Sequence, residues 1–486
     1  MLDDIIKERK KKLEAIRKAG HDPYPARVKR TFSIAKALED FGELARSGKA
    51  VSLAGRLKAL RDQGKIIFAD IEDESGKIQI VLKEDETKEF EFWRTVLDLN
   101  DFIAVAGPLF ETKKGEKSVQ VKELNLATKS LLPPPDKWAG LEDVEVRLRE
   151  RYVDLMVHPD VRELFRKKSI FWEGVREFLH GEGFFEVETS VLEPQAGGAE
   201  AEPFRTHHNA LDADFFLRIS LELQLKKLVV GGFESVFEIG RVFRNEGIDR
   251  DHLQDFTFME CYWGYHDYRD LMKLVETMYR FVIKKTTGGL ATAWQGNEID
   301  WSRKWPEVDY AEMFKQENDG LDPLEAPRAA LFKRAKELKL EADKNAGEGR
   351  LVDLIYKKTV RPKLIQPCFL VNHPILVSPL SKASPANPQI AERFQVVACG
   401  TELGNGYSEL NDPLDQRARF MEQMKLRKAG DKEAMALDED FLRALEYGMP
   451  PTAGFGMSER VFAILMDKPV RETVLFPLMR PKKGAQ

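Results

Sequence analysis

The stretch between residues 236 and 265 carries side chains suited to holding an anion and a flat ring. One apolar strand pattern leads into Arg244 and Glu246, and a second begins at Phe256 and leads to Glu260. Arginine presents a rigid fork of donors that fits a phosphate or a carboxylate, and Phe256 can lie against a planar base. The alternative is a surface hairpin whose charges are solvated, because short motifs also arise by chance.

This stretch is one of five segments that occur in a particular order along the chain. The other four are residues 184–189, 197–204, 404–412 and 454–460, with residues 475–477 following the last. Together they resemble motifs 1, 2 and 3 and the adjoining segments of class II aminoacyl-tRNA synthetases, most closely those specific for lysine. The likeness runs from about residue 51 to residue 481, and five ordered segments are more specific than any single one.

The resemblance implies both a fold and a reaction. The fold is α+β: a class II synthetase antiparallel sheet with flanking helices, plus an N-terminal β-barrel of the OB-fold type. The reaction is that of a lysine–tRNA ligase. Such an enzyme activates L-lysine with ATP to lysyl-adenylate and pyrophosphate, then transfers lysine to the 3′ end of tRNA(Lys). A homodimer is also implied, because motif 1 lies at the subunit interface in this family.

Adenylate formation brings a carboxylate to the α-phosphate of ATP, so fixed positive charge must offset two negative partners. Arg244 is suited to bridge them. Arg460 follows a predicted turn at Gly454 and Gly456 and is suited to the γ-phosphate, since glycine permits close backbone approach. We expect both arginines to be catalytic, although each can instead form a surface salt bridge of little value. By resemblance, the ATP site comprises Arg244, Glu246, His252, Phe256, Glu402 and Arg460.

Three acids, Glu222, Glu260 and Glu409, fall in segments that the resemblance places around the amino-acid pocket. Several acids together favour a cationic substrate, because a buried carboxylate without a partner is costly, and lysine brings two ammonium groups. Any one of these glutamates can instead be a solvated surface acid. By resemblance, lysine is held by Gly198, Glu222, Arg244, Glu260, Tyr262, Asn405 and Glu409.

The predicted metal site departs from the family pattern. Magnesium bound with ATP is expected at Glu402, but Gln395 stands where the family commonly has a second metal-binding glutamate. A neutral amide oxygen binds Mg²⁺ less strongly than a carboxylate, so we expect a weak or indirect role for Gln395. Further departures at Ser190, Leu221 and Ser458 leave both arginines in place, and catalysis is still expected.

Composition limits the class of protein. The 486 residues, 43% hydrophobic and 32% charged with a net charge of −5, fit two or three soluble globular domains. No apolar run approaches the roughly 20 residues that span a membrane, and no secretory signal is visible. Cys261, Cys368 and Cys399 are scattered, so neither disulfides nor a zinc site is expected, and the cytoplasm is the default compartment.

Changes in pattern along the chain divide it into segments. We predict a basic N-terminal helix and linker (1–30), an OB-fold anticodon-binding domain (31–132), a proline linker (133–140) and a catalytic domain (141–486) with a helical insertion at about 308–365. Five strand patterns between residues 51 and 126, with a helix at 86–97, suit an OB-fold. Further helices are predicted at 161–179, 268–285, 415–428 and 438–447, and strands at 394–398 and 474–476. The basic first helix can hold a phosphate backbone or form a solvated face.

The OB-like domain is expected to bind the anticodon. Phe68 can stack on a base, and Arg61 and Gln79 can form hydrogen bonds with the edge of a splayed base. A core position for Phe68 is equally open, because strand aromatic residues often face inward.

Three alternatives to lysine activation of tRNA remain. An aspartyl- or asparaginyl-type synthetase would need a basic or amide partner for the substrate side chain in place of the acids. A lysine ligase acting on a protein is disfavoured by the OB-like domain. A catalytically silent RNA-binding relative is disfavoured by the arginines and acids named above.

Overall fold

The computed structural model describes residues 2–133, 143–247, 252–342, 346–428 and 434–481. The chain forms two compact units, Met1–Gly140 and Leu141–Gln486. Of the predicted proline linker only Pro133 falls within the described residues, so the rest of that prediction lies outside them. No helix in the described ranges is both long and apolar enough to cross a membrane.

The first unit is a sheet of short strands with helices at its margins. Its helices are α1 (Leu2–Lys18), α2 (Ile34–Glu39), α3 (Phe41–Ser47) and α4 (Phe90–Val96). Its strands are β1 (Val51–Asp62), β2 (Ile66–Glu72), β3 (Lys77–Lys83), β4 (Phe102–Gly107), β5 (Leu109–Glu111), β6 (Lys117–Gln120) and β7 (Glu123–Thr128). Helix α4 is shorter than predicted and begins only after Glu89, whose φ is 56°.

The strand pairings of this unit close on themselves. The order is β5-β6-β3-β2-β1-β4-β7, and β3 pairs with β6 in parallel. Strand β5 continues β4 beyond Pro108, which lacks an amide hydrogen for the ladder, and β7 continues β6 beyond Val121. The amide of Lys122 donates to the carbonyl of Ala106 (2.8 Å), which joins the two continued strands. The five predicted strands are therefore present, two of them interrupted, in an OB-fold.

Two basic residues of α1 serve the fold of this unit. Arg9 is buried and donates to the backbone carbonyl oxygens of Leu99, Ser130 and Leu132. The Nζ of Lys12 lies 2.8 Å from a carboxylate oxygen of Asp98. The side chains of these two residues are engaged in contacts within their own domain. Only the other basic residues of α1 are therefore available to bind a phosphate backbone.

The second unit contains the larger sheet. Its helices are α5 (Val144–Arg149), α6 (Arg151–Val157), α7 (Pro159–Gly181), α8 (Glu222–Val230), α9 (Tyr268–Thr287), α10 (Tyr310–Glu317), α11 (Arg328–Glu337), α12 (Glu348–Thr359), α13 (Pro413–Lys428), α14 (Glu439–Glu446) and α15 (Arg460–Leu465). Its strands are β8 (Phe185–Glu186), β9 (Leu192–Glu193), β10 (Arg205–His208), β11 (Ala213–Leu217), β12 (Ser235–Phe243), β13 (Asp255–Gly264), β14 (Ala291–Trp294), β15 (Asn297–Asp300), β16 (Glu307–Asp309), β17 (Cys368–Val371), β18 (Arg393–Ala398), β19 (Thr401–Ser408) and β20 (Thr452–Ser458).

Eight of these strands form one sheet in the order β16-β17-β18-β19-β20-β13-β12-β8. All neighbours are antiparallel except β16–β17 and β12–β8. Side chains alternate along β13, so Met259 and Cys261 join the core formed with α7 and α9. Glu260 and Tyr262 consequently face the opposite side. Helices α10, α11 and α12 share a separate core with β17. They lie within residues 308–365, and the bounds of a helical insertion there stay a prediction.

The predicted strand at residues 474–476 is wrong. Leu475 and Phe476 are exposed in an irregular segment just before Pro477. The segment is held by the guanidinium of Arg151, which donates to the carbonyl oxygens of Val474 and Leu475. Three apolar residues before a proline did not suffice to define a strand, because a strand also needs a neighbour with which to pair.

Candidate active site

A cleft of about 1400 Å³ lies on the sheet face opposite α7 and α9. Every predicted residue of the ATP, lysine and metal sites lines it: Gly198, Glu222, Arg244, Glu246, His252, Phe256, Glu260, Tyr262, Gln395, Glu402, Asn405, Glu409 and Arg460. Residues 248–251, in the polar loop after Arg244, lie outside the described ranges. Four of the five segments that sequence analysis singled out thus converge on one cavity, and residues 184–189 are not part of its lining.

Arg244 lines the cleft directly after β12. Its Nε donates to the carbonyl of Ile219 (3.3 Å), and its Cζ lies 5.3 Å from the Phe256 ring centroid. Burial lowers the pKa of Arg244, and the nearby charge of Arg460 lowers it further. Two guanidinium groups within electrostatic reach of each other, on the wall of a cavity, form a site for a polyanion.

The glycines before Arg460 have a role that differs from the prediction. Gly454 and Gly456 lie inside β20 and do not form a turn. A Cβ at Gly454 would lie 2.1 Å from a carboxylate oxygen of Glu409 and 2.5 Å from the Tyr262 ring. The glycines therefore make room for side chains of the acidic pocket, and a role beside a phosphate is not needed to explain them.

Glu260 is a buried acid of the cleft with several hydrogen-bond partners. It is 3% exposed and accepts hydrogen bonds from the Ser220 hydroxyl (2.6 Å), the Leu221 amide (3.1 Å) and the Tyr262 hydroxyl (2.7 Å). Burial and the neighbouring Glu222 raise the pKa of Glu260 to about 7, although these hydrogen bonds oppose the rise. The carboxyl group is thus fixed in place and holds a proton readily when no cation is bound.

Two more acids are joined by a lysine that sequence analysis missed. The Nζ of Lys226 forms ion pairs with both Glu222 and Glu409, and the Tyr407 hydroxyl donates to both oxygens of Glu222 (2.8 Å each). Burial raises the pKa of Glu409 well above its usual range, while Lys226 acts against the rise. The spacing of Glu222 and Lys226, one turn apart on α8, was the signal that could have indicated the first pair.

Gly198 closes the acidic pocket with a backbone that other residues rarely adopt. Its φ is +82°, and a Cβ there would lie 3.1 Å from the Cβ atoms of both Ser220 and Glu222. A side chain would therefore be strained and would crowd Glu222. The backbone of Gly198 is therefore held close to Glu222, the acid with which its carbonyl was predicted to share an ammonium group.

The predicted metal residues meet at the bulge where β18 pairs with β19. The Gln395 Nε2 donates to Glu402 (2.9 Å), while the buried Gln395 Oε1 has no hydrogen-bond partner. Nearby, the Arg393 Nε donates to the Asn405 Oδ1 (2.8 Å), which leaves the Asn405 amide nitrogen to donate elsewhere. Among the described residues, no three His, Cys, Asp or Glu side chains are grouped to hold a metal ion. One carboxylate plus an orphaned amide oxygen fits Mg²⁺ that takes its other ligands from phosphates and water.

The predicted anticodon residues lie together on the first unit. Phe68 pairs across the sheet with Arg61 on β1, and an Arg61 Nη donates to the Gln79 Oε1 (3.3 Å). Ile67 and Ala69, on either side of Phe68, belong to the buried core, whereas Phe68 is half-buried on the other face. The core position considered for Phe68 is therefore excluded.

Comparison with known proteins agrees with this fold. Residues 143–480 match the family described as tRNA synthetases class II (D, K and N), and residues 51–127 match the OB-fold nucleic acid binding domain. The first match covers more than half of the chain. The chain belongs to the class II aminoacyl-tRNA synthetases and is an aminoacyl-tRNA ligase by family.

Relatives that match along their full length identify the family more specifically. The chain is 46% identical to the lysine–tRNA ligase of Roseiflexus castenholzii, over 99% of this chain and 100% of that protein. It is 44% identical to the lysine–tRNA ligase of Moorella thermoacetica, over 99% of each chain. At these identities over the full length, the chain belongs to the lysine–tRNA ligase family.

Proposed function

We propose that the protein activates L-lysine with ATP, forms lysyl-adenylate and pyrophosphate, and then esterifies the 3′ end of tRNA(Lys). The observation that carries this proposal is that two arginines and three buried glutamates line one cleft. The arginine end suits a triphosphate and the acidic end suits a small cation. Lysine-dependent exchange of pyrophosphate into ATP tests it, and absence of exchange with lysine contradicts it.

At the ATP end, each residue has a distinct task. Arg244 bridges the α-phosphate and the substrate carboxylate, so that its fork of donors offsets the charge of both as they meet. Arg460 holds the γ-phosphate. Phe256 stacks on the adenine, Glu246 accepts from the adenine amino group, and His252 lies near the phosphates from its place on the motif 2 loop.

At the acidic end, the two ammonium groups of lysine are bound separately. Glu260, Tyr262 and Glu409 hold the ε-ammonium group. Glu222 and the Gly198 carbonyl hold the α-ammonium group. Asn405 orients the carboxylate through its free amide nitrogen, since its oxygen already accepts from Arg393.

The acidic pocket disfavours the other members of the D, K and N group. Aspartate would bring its side-chain carboxylate against Glu260 and Glu409, and asparagine would leave these acids without a cation. Exchange assays with aspartate and asparagine beside lysine separate the three substrates. Activity with either one above that with lysine contradicts the proposal.

In this proposal the acceptor of lysine is tRNA, and the protein is catalytically active. The OB-fold favours tRNA over a protein as the acceptor of lysine. The presence of Arg244, Arg460 and the three acids in the cleft favours catalytic activity. Charging of tRNA with labelled lysine, run beside a protein-acceptor assay, distinguishes these alternatives.

Magnesium bound with ATP is proposed at Glu402. When bound, the ion would neutralise phosphate charge, while Gln395 orients the Glu402 carboxylate through the 2.9 Å hydrogen bond. We expect Glu402→Ala to raise the Mg²⁺ concentration for half-maximal exchange by about tenfold or more, and Gln395→Ala to raise it less. The matched variant Gln395→Glu adds a carboxylate and should lower that concentration. Equal losses in the two alanine variants would contradict this assignment.

The anticodon is proposed to bind the outer face formed by Arg61, Phe68 and Gln79. Phe68→Ala should raise the KM for tRNA about 5- to 150-fold, because stacking of one base contributes about 1–3 kcal/mol. Exchange without tRNA should not change. Phe110→Ala, a half-buried aromatic of β5, is the matched control. A tRNA KM that responds equally to both variants would place the anticodon elsewhere.

A homodimer is proposed through the edge of the large sheet that carries motif 1. Phe185 on β8 and Phe233 are 58% and 43% exposed, and their rings stack with centroids 5.7 Å apart. Exposed aromatics on an edge strand are a typical association surface. Light scattering should give twice the chain mass, and Phe185→Asp with Phe233→Asp should give the monomer mass. Leu414→Asp, an exposed leucine of α13, should leave the mass unchanged.

The cytoplasm is the proposed compartment, and the segment boundaries given under Sequence analysis are the proposed domain limits. Cys261, Cys368 and Cys399 are all buried as free thiols, which suits a reducing compartment.

A further inference from the structure

Lys226 is a buried cation on the acidic side of the cleft. It lies on α8, and its side chain has no solvent exposure. Its Nζ pairs with Glu222 and Glu409 and lies 5.6 Å from the Tyr407 ring centroid and 5.7 Å from that of Phe441. A permanent ammonium group therefore contacts two of the three acids that are proposed to hold lysine.

This ammonium group lies behind the acids and does not occupy the place of a substrate. Glu222, Glu260 and Glu409 line the cleft, whereas the fully buried Lys226 is not part of the lining. A substrate cation can approach the carboxylates from the open side while Lys226 stays on the other side. The titratable groups facing Lys226 are Glu222 on its own helix, Glu409 after β19 and Tyr407 on β19. Glu260 and Tyr262 of β13 lie near these acids.

The charge of Lys226 persists in this setting. Burial lowers the pKa of Lys226, but the carboxylates of Glu222 and Glu409 outweigh burial and raise it. The same burial raises the pKa of Glu409, and the Lys226 charge is the largest influence opposing that rise. The acids thus favour the charged form of Lys226, and Lys226 in turn favours the charged form of Glu409 against the effect of burial.

The net charge of the three acids and Lys226 can be compared with the charge of the proposed substrate. Three carboxylates and one ammonium group leave two negative charges, which match the two ammonium groups of a lysine whose carboxylate faces Arg244. Without Lys226 the pocket would carry three, and one of the buried acids would take up a proton in the free protein, which it must release before it can hold an ammonium group. We propose that Lys226 sets the charge of the amino-acid pocket to match a dication, acting on substrate choice as a positioning residue through Glu222 and Glu409. This inference rests on the proposed lysine activity.

The variant Lys226→Met tests the proposal through the protons released when lysine binds. Calorimetry at pH 8 in two buffers of different ionisation enthalpy gives the number of protons released when lysine binds. We expect the variant to release about one more proton than the wild type and to bind lysine at least about tenfold more weakly, with ATP affinity unchanged. Lys227→Met, beside it on α8 and paired at the surface with Asp440, should resemble the wild type in both measurements.

A compensating pair separates charge matching from a merely structural role. Glu409→Gln alone leaves the pocket with one negative charge, and adding Lys226→Met restores two. We expect the double variant to bind lysine more tightly than Glu409→Gln alone and to release no more protons than the wild type. A structural lysine would make the double variant weaker still.

The outcomes distinguish this inference from the proposed function. A wild-type protein that neither binds lysine nor exchanges pyrophosphate overturns the proposed function. A wild type that binds lysine, with an unchanged proton count in Lys226→Met or no gain in the double variant, overturns only the role of Lys226. Failure of both Lys226 variants to fold likewise assigns Lys226 to structure alone.

Discussion

Replacing Arg244 with lysine is expected to lower the rate of lysine-dependent pyrophosphate exchange by about 10²- to 10³-fold. Lysine keeps the positive charge but has a single ammonium group in place of the planar fork. It therefore cannot donate to a phosphate and a carboxylate along two fixed directions. It also loses the contact between the Arg244 Nε and the Ile219 carbonyl, which orients the guanidinium in the cleft.

The matched control is Arg241→Lys, on β12 three residues before Arg244. Arg241 is 41% exposed and pairs with Asp255, away from the acids of the cleft. We expect its rate to stay within about twofold of the wild type, because exposed ion pairs contribute little. Near wild-type exchange in Arg244→Lys, or an equal loss in Arg241→Lys, would show that Arg244 has no specific role in catalysis.

Glu260→Gln is expected to raise the KM for lysine on the order of 10²-fold while leaving the KM for ATP unchanged. The amide keeps the shape of the carboxylate, and its oxygen can still accept from Ser220 and Leu221. It removes the negative charge that faces the ε-ammonium group, and a hydrogen bond to a charged group contributes about 1.5–3 kcal/mol. Glu234→Gln, an exposed acid before β12, should have no effect on either KM.

Lowering the pH should weaken lysine binding, and the size of this effect should depend on Glu260. The pKa of Glu260 is raised to about 7, so below that pH its carboxyl is protonated in the free protein and must lose the proton before it can pair with the ε-ammonium group. The KM for lysine should rise up to about tenfold per unit as the pH falls below 7, and this dependence should be shallower in Glu260→Gln. A pH profile identical in the two proteins would show that Glu260 does not titrate on binding.

Local pattern sufficed for many elements that position the site. Helices α7 and α9 and the hairpin of β12 and β13 followed from apolar periodicity, because amphipathic spacing repeats within each element. Most predicted site residues came from four of the five recognised segments, whereas Glu222, Gln395 and Glu402 were assigned outside these segments by the family resemblance. The prediction was weaker where an element is short or depends on a partner, as with α2 and α3, which were not anticipated, and residues 474–476, where a strand was wrongly expected.

The sequence alone determined the class of protein, the residue types suited to a polyanion and a cation, and most of the strands and helices that carry them. Tertiary structure alone decided that Gly454 makes room for Glu409, that Phe68 faces outward, and that Lys226 stands behind two acids. The physical reason is that side-chain spacing within one element is local. Burial, pKa and ion pairing depend instead on which distant residues meet when the sheet and its helices assemble.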